Sequence, residues 1–421
     1  MSTVAMSTGG TPSGKTIFIS SLLVLGNVLG VGVLALPISA GLGGFIPALL
    51  GIILVWCMML FAAWLIAYRI DSTKKNFDIP SFFKEELGTT AKWIAIACNL
   101  LILYGVLVAY LSGISTMMTA LYSDLAEYQY LITIVYFCIV VSLIVFGLGV
   151  MRKGMSIIMI VLWICFFTMC FTGLGDWHGN LLTYMDWRYL PICLPIAVSA
   201  FHFHNIIPTV SKSLNYNKPA TYKAIFIGVL LGLIINLVWV VVVLGSMQEN
   251  NAGTTSVIYA EIHNLTANVP MTEILNNKTF EISALIFALL SVTCSFMANG
   301  AGLFGFITDL CTDYLKTDNK LLISILSFAP PLIIALIYPE IFLVALSLVG
   351  GVGEDILFAL LPGIIIVKIA HSLLKKREYS TLSRWMIIVG WIMVVLSTFI
   401  LIFVLGQKFG LINMTPPKLM M

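Results

Sequence analysis

Two carboxylates stand side by side in Gly350-Gly351-Val352-Gly353-Glu354-Asp355, halfway along an apolar run from 340 to 371. At roughly 1.5 Å per residue that run is longer than a membrane is thick, so it must tilt or break there. An ionisable side chain at membrane depth is a functional group by default. A carboxyl that one proton can neutralise is the simplest carrier of that proton, and Glu354 is the first choice with Asp355 its rival. The competing reading is a carboxylate satisfied by backbone N–H groups at a glycine break.

Two further constellations sit in apolar runs. Ser199-Ala200-Phe201-His202-Phe203-His204-Asn205-Ile206-Ile207-Pro208 interrupts one with two histidines, an asparagine and a proline that breaks helical bonding. Histidine titrates near physiological pH, so His202 or His204 offers a second proton route or a substrate contact. A metal would need Glu354 or Asp355 as third ligand, and no helical His-Glu-x-x-His pattern is present; neither metal nor cofactor is expected. The other constellation is Leu25-Gly26-Asn27-Val28-Leu29-Gly30-Val31-Gly32, running on to Pro37. Irregular backbone at membrane depth is tolerated only where it is buried in protein or lines a cavity, so this loosened helix marks a binding site. Gly26 and Gly30 alone would equally suit a helix-packing face.

The elements that must position these residues are membrane spans. With 60% hydrophobic and 10% charged residues, a chain of 421 residues cannot dress a soluble surface. Apolar runs near the length needed to cross hydrocarbon recur at about 16–40, 43–70, 92–122, 129–151, 154–175, 190–211, 220–247, 280–309, 320–338, 340–371 and 384–408. The expectation is an all-α integral membrane protein with 11 spans, the first retained rather than cleaved as a signal peptide. With the N-terminus inside, Lys15, Arg69, Lys74, Lys75, Lys84, Lys92, Arg152, Lys153, Lys212, Lys218, Lys223, Lys316, Lys320, Lys368, Lys375, Lys376, Arg377 and Arg384 are cytoplasmic. Only Arg188, Lys278, Lys408 and Lys418 of the 22 basic residues fall outside. That bias sets the orientation and accounts for the net charge of +3 without a nucleic-acid partner. The cysteines lie in or beside apolar spans with no CxxC pair and read as small buried hydrophobes. The outer stretch 248–279 is either a lid or a solvated connector, and the triplets at Asn264, Asn277 and Asn413 that could accept a glycan fall outside on this topology.

The first and sixth spans cross in opposite directions and carry matching interruptions. Paired breaks in corresponding halves point to a secondary transporter built from inverted repeats. The organisation expected is a tail at 1–14, repeats at 15–175 and 190–371, an eleventh helix at 384–408 and an external tail at 409–421. At a break, unpaired N–H groups and carbonyls act as partial charges of roughly half a unit, which suits an amino acid zwitterion. Its carboxylate would lie against N–H groups around Gly30 and Gly32, and its ammonium against carbonyls near Asn27 and Ala200-Phe201. Tyr104, Tyr110, Ser295 and Asn299 lie at similar depth and Phe201 and Phe203 could wall a side-chain pocket; interhelical hydrogen bonds and ordinary packing are the plainer readings.

Gly26 to Pro37, Phe201 to Pro208, and Thr293-Cys294-Ser295-Phe296 with Gly302-Leu303-Phe304-Gly305-Phe306 together resemble the bacterial hydroxy and aromatic amino acid permeases, which include tyrosine and tryptophan transporters of the amino acid–polyamine–organocation superfamily. The resemblance implies a leucine-transporter-type five-plus-five fold with an eleventh helix, a bacterial inner membrane location, an aromatic amino acid as substrate and a proton as coupling ion. The family often has Thr-Ser where this chain has Cys294-Ser295, which counts against a sodium site there. A sodium-coupled or exchange transporter of the same fold is the alternative. An intramembrane enzyme built on the histidines and carboxylates is remote, since no phosphate site or nucleophile elbow accompanies them. On this topology, alkaline phosphatase fused after Lys408 should be active and a fluorescent protein fused there dark; the reverse pattern would invert the orientation.

Overall fold

The computed structural model describes residues 12–28, 30, 32–73, 78–146, 148–250, 253–375 and 381–414. Leu29, Val31, Lys74, Lys75, Lys376, Arg377, Lys418 and Thr415 lie outside the described residues. Among the described residues the regular structure is helical: α1 (Gly14–Val28), α2 (Gly32–Gly41), α3 (Phe45–Thr73), α4 (Ile79–Leu87), α5 (Thr89–Leu121), α6 (Gln129–Phe146), α7 (Leu148–Gly173), α8 (Leu190–Ala200), α9 (Ile207–Ser213), α10 (Lys218–Ser246), α11 (Val257–Ile262), α12 (Asn268–Leu275), α13 (Lys278–Leu310), α14 (Lys320–Ile337), α15 (Phe342–Leu348), α16 (Leu361–Lys375) and α17 (Thr381–Lys408). Among the described residues, 10 helices are long and apolar enough to cross a membrane, and α1 with α2, bent by 58°, makes the eleventh. The expected spans are all present.

The starts of the spans follow from local chemistry. Asn217, Asn277 and Asn319 each turn a side-chain oxygen onto backbone N–H groups of α10, α13 and α14, at 2.9 to 3.3 Å, satisfying donors that a helix start leaves free. Asp78 caps α4, where Pro80 sits in the first turn, and Gly88 closes it at φ 95°.

Glycine sets how closely the spans approach. A Cβ on Gly228 would lie 2.5 Å from the Ser21 carbonyl oxygen, and one on Gly232 would lie 2.6 Å from Val28 Cγ1, so α1 lies directly on the backbone of α10. This is the small-xxx-small contact that membrane helices use in place of hydrophobic burial. Gly26 and Gly30 do not make such a contact. Their nearest neighbours are the ends of side chains, Met159 Cε at 3.2 Å and Ser295 Oγ at 3.8 Å. At the head of α2, by contrast, a Cβ on Gly32 would lie 2.6 Å from Ala200 Cα, where the two interrupted spans cross.

The long tenth span neither breaks nor simply tilts. Between α15 and α16 its bonding widens to the i→i+5 pattern over Val349–Glu354 and again over Ile356–Leu360. Such stretches cluster at functional sites because they re-aim side chains. Glycine makes the packing possible here: Gly350 meets the Pro195 carbonyl of α8, Gly351 faces Val404 of α17, and a Cβ on Gly353 would lie 2.6 Å from Ile102 of α5.

Gly32→Val should cost about 1–3 kcal/mol by forcing α2 and α8 apart. Gly305→Ala, with nothing within 4 Å of its Cβ position, should be neutral or stabilise by about 0.5–1 kcal/mol. Thermal unfolding in detergent checks both.

Candidate functional site

The helix ends at the two interruptions face one cavity. In the first span Gly30 N–H donates to the Val28 carbonyl at 2.9 Å and the Gly30 carbonyl accepts from Val33 N–H at 3.3 Å, leaving the helical ladder. In the sixth, α8 stops at Ala200, His202 and Phe203 are irregular, and a single 3₁₀ turn over His204–Ile206 leads into α9 with Pro208 in its first turn. Proline there costs no hydrogen bond, which is why the chain resumes its helix at that point.

The cavity has a volume of about 670 Å³. Of the residues expected at a site, Gly26, Asn27, Gly30, Gly32, Tyr110, His202, Ser295, Asn299 and Glu354 line it. Asn299 Nδ2 donates both to the Ser295 carbonyl at 2.9 Å and to the Tyr110 hydroxyl oxygen at 3.3 Å. The Tyr110 hydroxyl also lies against the Ser295 side chain, so α5 and α13 are joined at the cavity wall.

The closest polar contact in the wall joins the two other constellations. His202 Nδ1 lies 2.6 Å from Glu354 Oε1, with the carboxylate 1% exposed and the imidazole 15%. Two atoms of this pair, His202 Nε2 and Glu354 Oε2, are buried and find no partner. A buried polar atom left in that state costs on the order of 1–3 kcal/mol, which a ligand group hydrogen-bonding to it would relieve.

Other expected residues lie behind the wall. Tyr104 donates its hydroxyl to the Leu326 carbonyl at 2.6 Å, an interhelical bond that holds α5 to α14. Phe201 and Phe203 are fully buried and pack away from the cavity. The His204 ring stacks on Phe203 and Phe358 at 4.6 and 4.5 Å, and its Nε2 meets the Met59 carbonyl at 3.0 Å, so it fastens the break to α3. Asp355 accepts from the Ser397 hydroxyl at 2.6 Å and so faces α17. The adjacent carboxylates therefore face different neighbours, Glu354 the cavity and Asp355 the eleventh helix. Among the described residues no three His, Cys, Asp or Glu side chains converge as a metal site would require.

Sequence reasoning missed Ser199, Asn205, Trp163, Phe166 and Phe287, which also line the cavity. Asn205 and Ser199 sit inside the interrupted segment and were recoverable from it. Trp163, Phe166 and Phe167 in α7 carry no signal that separates them from ordinary span composition. Trp163 and Phe166 reach the site because the fifth span lies against α13, where Phe166 packs on Phe287 at 6.0 Å.

The cavity runs from the interruptions toward the N-terminal ends of α1 and α7, where Ile19, Leu22, Met159 and Ile160 line it. Along α2, on the other side of the interruptions, loop backbone is tied to the span at its first turn and just past its last. Ala267 N–H donates to the Leu34 carbonyl at 3.0 Å and Asp186 N–H to the Gly43 carbonyl at 2.9 Å.

Against this geometry the comparisons are decisive. The model of the tryptophan/tyrosine permease family matches residues 13–406. The chain belongs to that family. It is 28% identical over 339 residues to the tyrosine-specific transport system 1 of Haemophilus influenzae, covering 79% of this chain and 83% of that one. It is 24% identical over 417 residues to the low affinity tryptophan permease of Escherichia coli K12, covering 92% and 96%. The crystal structure of MhsT in complex with L-phenylalanine superposes with a TM-score of 0.56 at 14% identity, covering 96% of this chain and all of that one. The permease thus has the leucine-transporter-type fold and is a multi-pass membrane transporter, not an enzyme.

Removing one member of the His202–Glu354 pair should leave the other buried and uncompensated, at a cost of about 3–5 kcal/mol. His202→Leu with Glu354→Leu should cost less than the sum of the single changes, as read by a double-mutant cycle on thermal unfolding in detergent.

Proposed function

We propose that this permease imports aromatic amino acids, with tyrosine, tryptophan and phenylalanine as the ordered expectation, by proton symport with alternating access across the bacterial inner membrane. The observation that carries the reading is the His202–Glu354 contact in the wall of a cavity where both interrupted spans end. The printed names of the relatives, a tyrosine-specific system and a tryptophan permease, support the substrate class.

The substrate carboxylate is placed against the N–H groups at the head of α2, around Gly30 and Gly32, with the Tyr110 hydroxyl within the same cavity wall. The ammonium is placed against the carbonyls that end α1 and α8, near Asn27 and Ala200-Phe201. Phe166, Phe287 and Trp163 offer an apolar wall for a ring.

The coupling follows from the pair's second polar atoms. With Nδ1–H donated to an ionised Glu354, a neutral His202 leaves the pair with one negative charge. One proton taken up at Nε2 or Oε2 cancels that charge and leaves the 2.6 Å contact in place. Substrate enters as a neutral zwitterion, so each cycle carries one net charge inward, worth about 2.3 kcal/mol per 100 mV. That suffices for uphill uptake. Asp355, held by Ser397, is left as a structural partner of the eleventh helix.

With the N-terminus in the cytoplasm and the C-terminus outside, the cavity opens inward and the loop-tied side faces out. The two repeats, 15–175 and 190–371, rock about the central site, and the helix at 384–408 stands beyond them.

Labelled tyrosine should accumulate in proteoliposomes under an imposed proton gradient without sodium, and tryptophan and phenylalanine should compete. Accumulation only with sodium would reassign the coupling to the cavity around Gly30 and Ser295. Glu354→Gln should abolish concentrative uptake while counterflow exchange persists; normal accumulation by that variant would remove Glu354 from the coupling.

A further inference from the structure

We propose that Glu261 is a second proton-binding site of the permease, and that a proton taken up there docks the lid formed by α11 and α12 over the end of α2. The inference rests on the reading above of this side as the outer face of a proton-driven importer.

The lid is fastened to the first span at the backbone. Ala267 N–H donates to the Leu34 carbonyl, and a Cβ on Gly41 would lie 2.8 Å from Val257 Cγ1, so α11 lies on the last turn of α2. Ser256 caps α11 and turns Val257, Ile258 and Ala260 inward, all of them buried. Glu261 follows on the same short helix and is carried into the seam. Its Oε2 accepts from Ser39 Oγ of α2 at 3.2 Å, and Ser39 is 1% exposed.

What faces this carboxyl is nearly uncharged. From α2 comes the Ser39 hydroxyl, and from α8 the buried Cys193 thiol, close enough for the carboxylate to act on it. On α11 itself the Tyr259 ring stacks on the ring of His263 at 3.9 Å, and that imidazole's Nδ1 turns to the Tyr259 carbonyl at 2.9 Å. Among the described residues no lysine or arginine makes an ion pair with Glu261. Glu261 is partly buried in this seam, and one hydroxyl is poor compensation for the share of hydration its carboxylate loses there, whereas the protonated acid is neutral.

The sign follows. Burial pushes the docked carboxyl up from 4.5 to about 7, against the pull of the Ser39 hydrogen bond. With the lid undocked the group is in water and returns to the ordinary value. The docked state therefore holds the proton more tightly, and docking is strongest below pH 4.5, where both states are protonated. It weakens about tenfold per pH unit until the docked group has also ionised. A proton arriving from the outer solution thus helps to shut the outer end.

Cys193 is a native reporter beneath the lid. An impermeant maleimide is applied to the purified permease in nanodiscs from pH 5.5 to 8, and modification of the Cys193 peptide is read by mass spectrometry. Because thiol reactivity itself rises with pH, each rate is divided by that of Glu261→Gln at the same pH. That ratio should rise at least tenfold between pH 5.5 and 8, and a flat ratio overturns the proposal. Ser39→Ala removes the one hydroxyl that favours the charged form, so its labelling profile should move to higher pH; an unmoved profile overturns the latch even if the glutamine variant folds poorly. The readout needs no transport. Flat labelling beside intact proton-driven uptake would sink the latch alone, while pH-dependent labelling beside proton-independent uptake would sink the symport reading alone.

Discussion

Every peptide group at membrane depth must find a partner, and the whole architecture is arranged around the two places where the helical ladder stops supplying one. At Gly30 and at His202 the backbone leaves its regular bonding, and there the spans cross at Gly32 and Ala200 with a backbone approach that any side chain would block. The remaining spans exist, in effect, to keep lipid away from those ends. Tyr104 on Leu326, Ser112 on Pro339 and His204 on Met59 hold neighbouring spans to one another by side chain to carbonyl bonds, the kind of tie that lasts where water does not compete.

The spans were legible in the sequence because their signal is additive: a score of consecutive apolar residues leaves no other reading. The interruptions were legible for the opposite reason, since glycine, asparagine and proline at mid-span are conspicuous against such a background. Facing was less legible. Phe201 and Phe203 alternate with histidines in a segment that is not helical, so neither a helical nor a strand period says which side they take. Glu354 and Asp355 are neighbours in sequence, and neighbours on a helix point about 100° apart, so the two must part; that Glu354 takes His202 and Asp355 takes Ser397 is seen only in the fold. Gly26 and Gly30 had the spacing of a packing face, yet that contact is made by Gly228 and Gly232, because the spacing fixes the face of a helix and not its neighbour.

The wall of aromatic residues from α7 shows a second limit. Trp163 and Phe166 belong to a span whose threonines, Thr168 and Thr172, bond back to its own carbonyls and so mark no inner side, and the packing of α7 along α13 turns the two rings to the cavity. Residues that bind by shape carry no chemical signature of their own. An ionisable residue such as Glu354, by contrast, stands out at mid-span in a chain where 10% of residues are charged.

The asparagines that open α10, α13 and α14 have a consequence for pH. Asn217, Asn277 and Asn319 do the work that an aspartate does for α4, but an amide has no proton to gain or lose. The starts of these three spans are therefore closed in the same way in acid and in base. A change of acidity that strips the Asp78 cap of its charge leaves these three helix starts as they are, so the places where the spans begin are indifferent to pH.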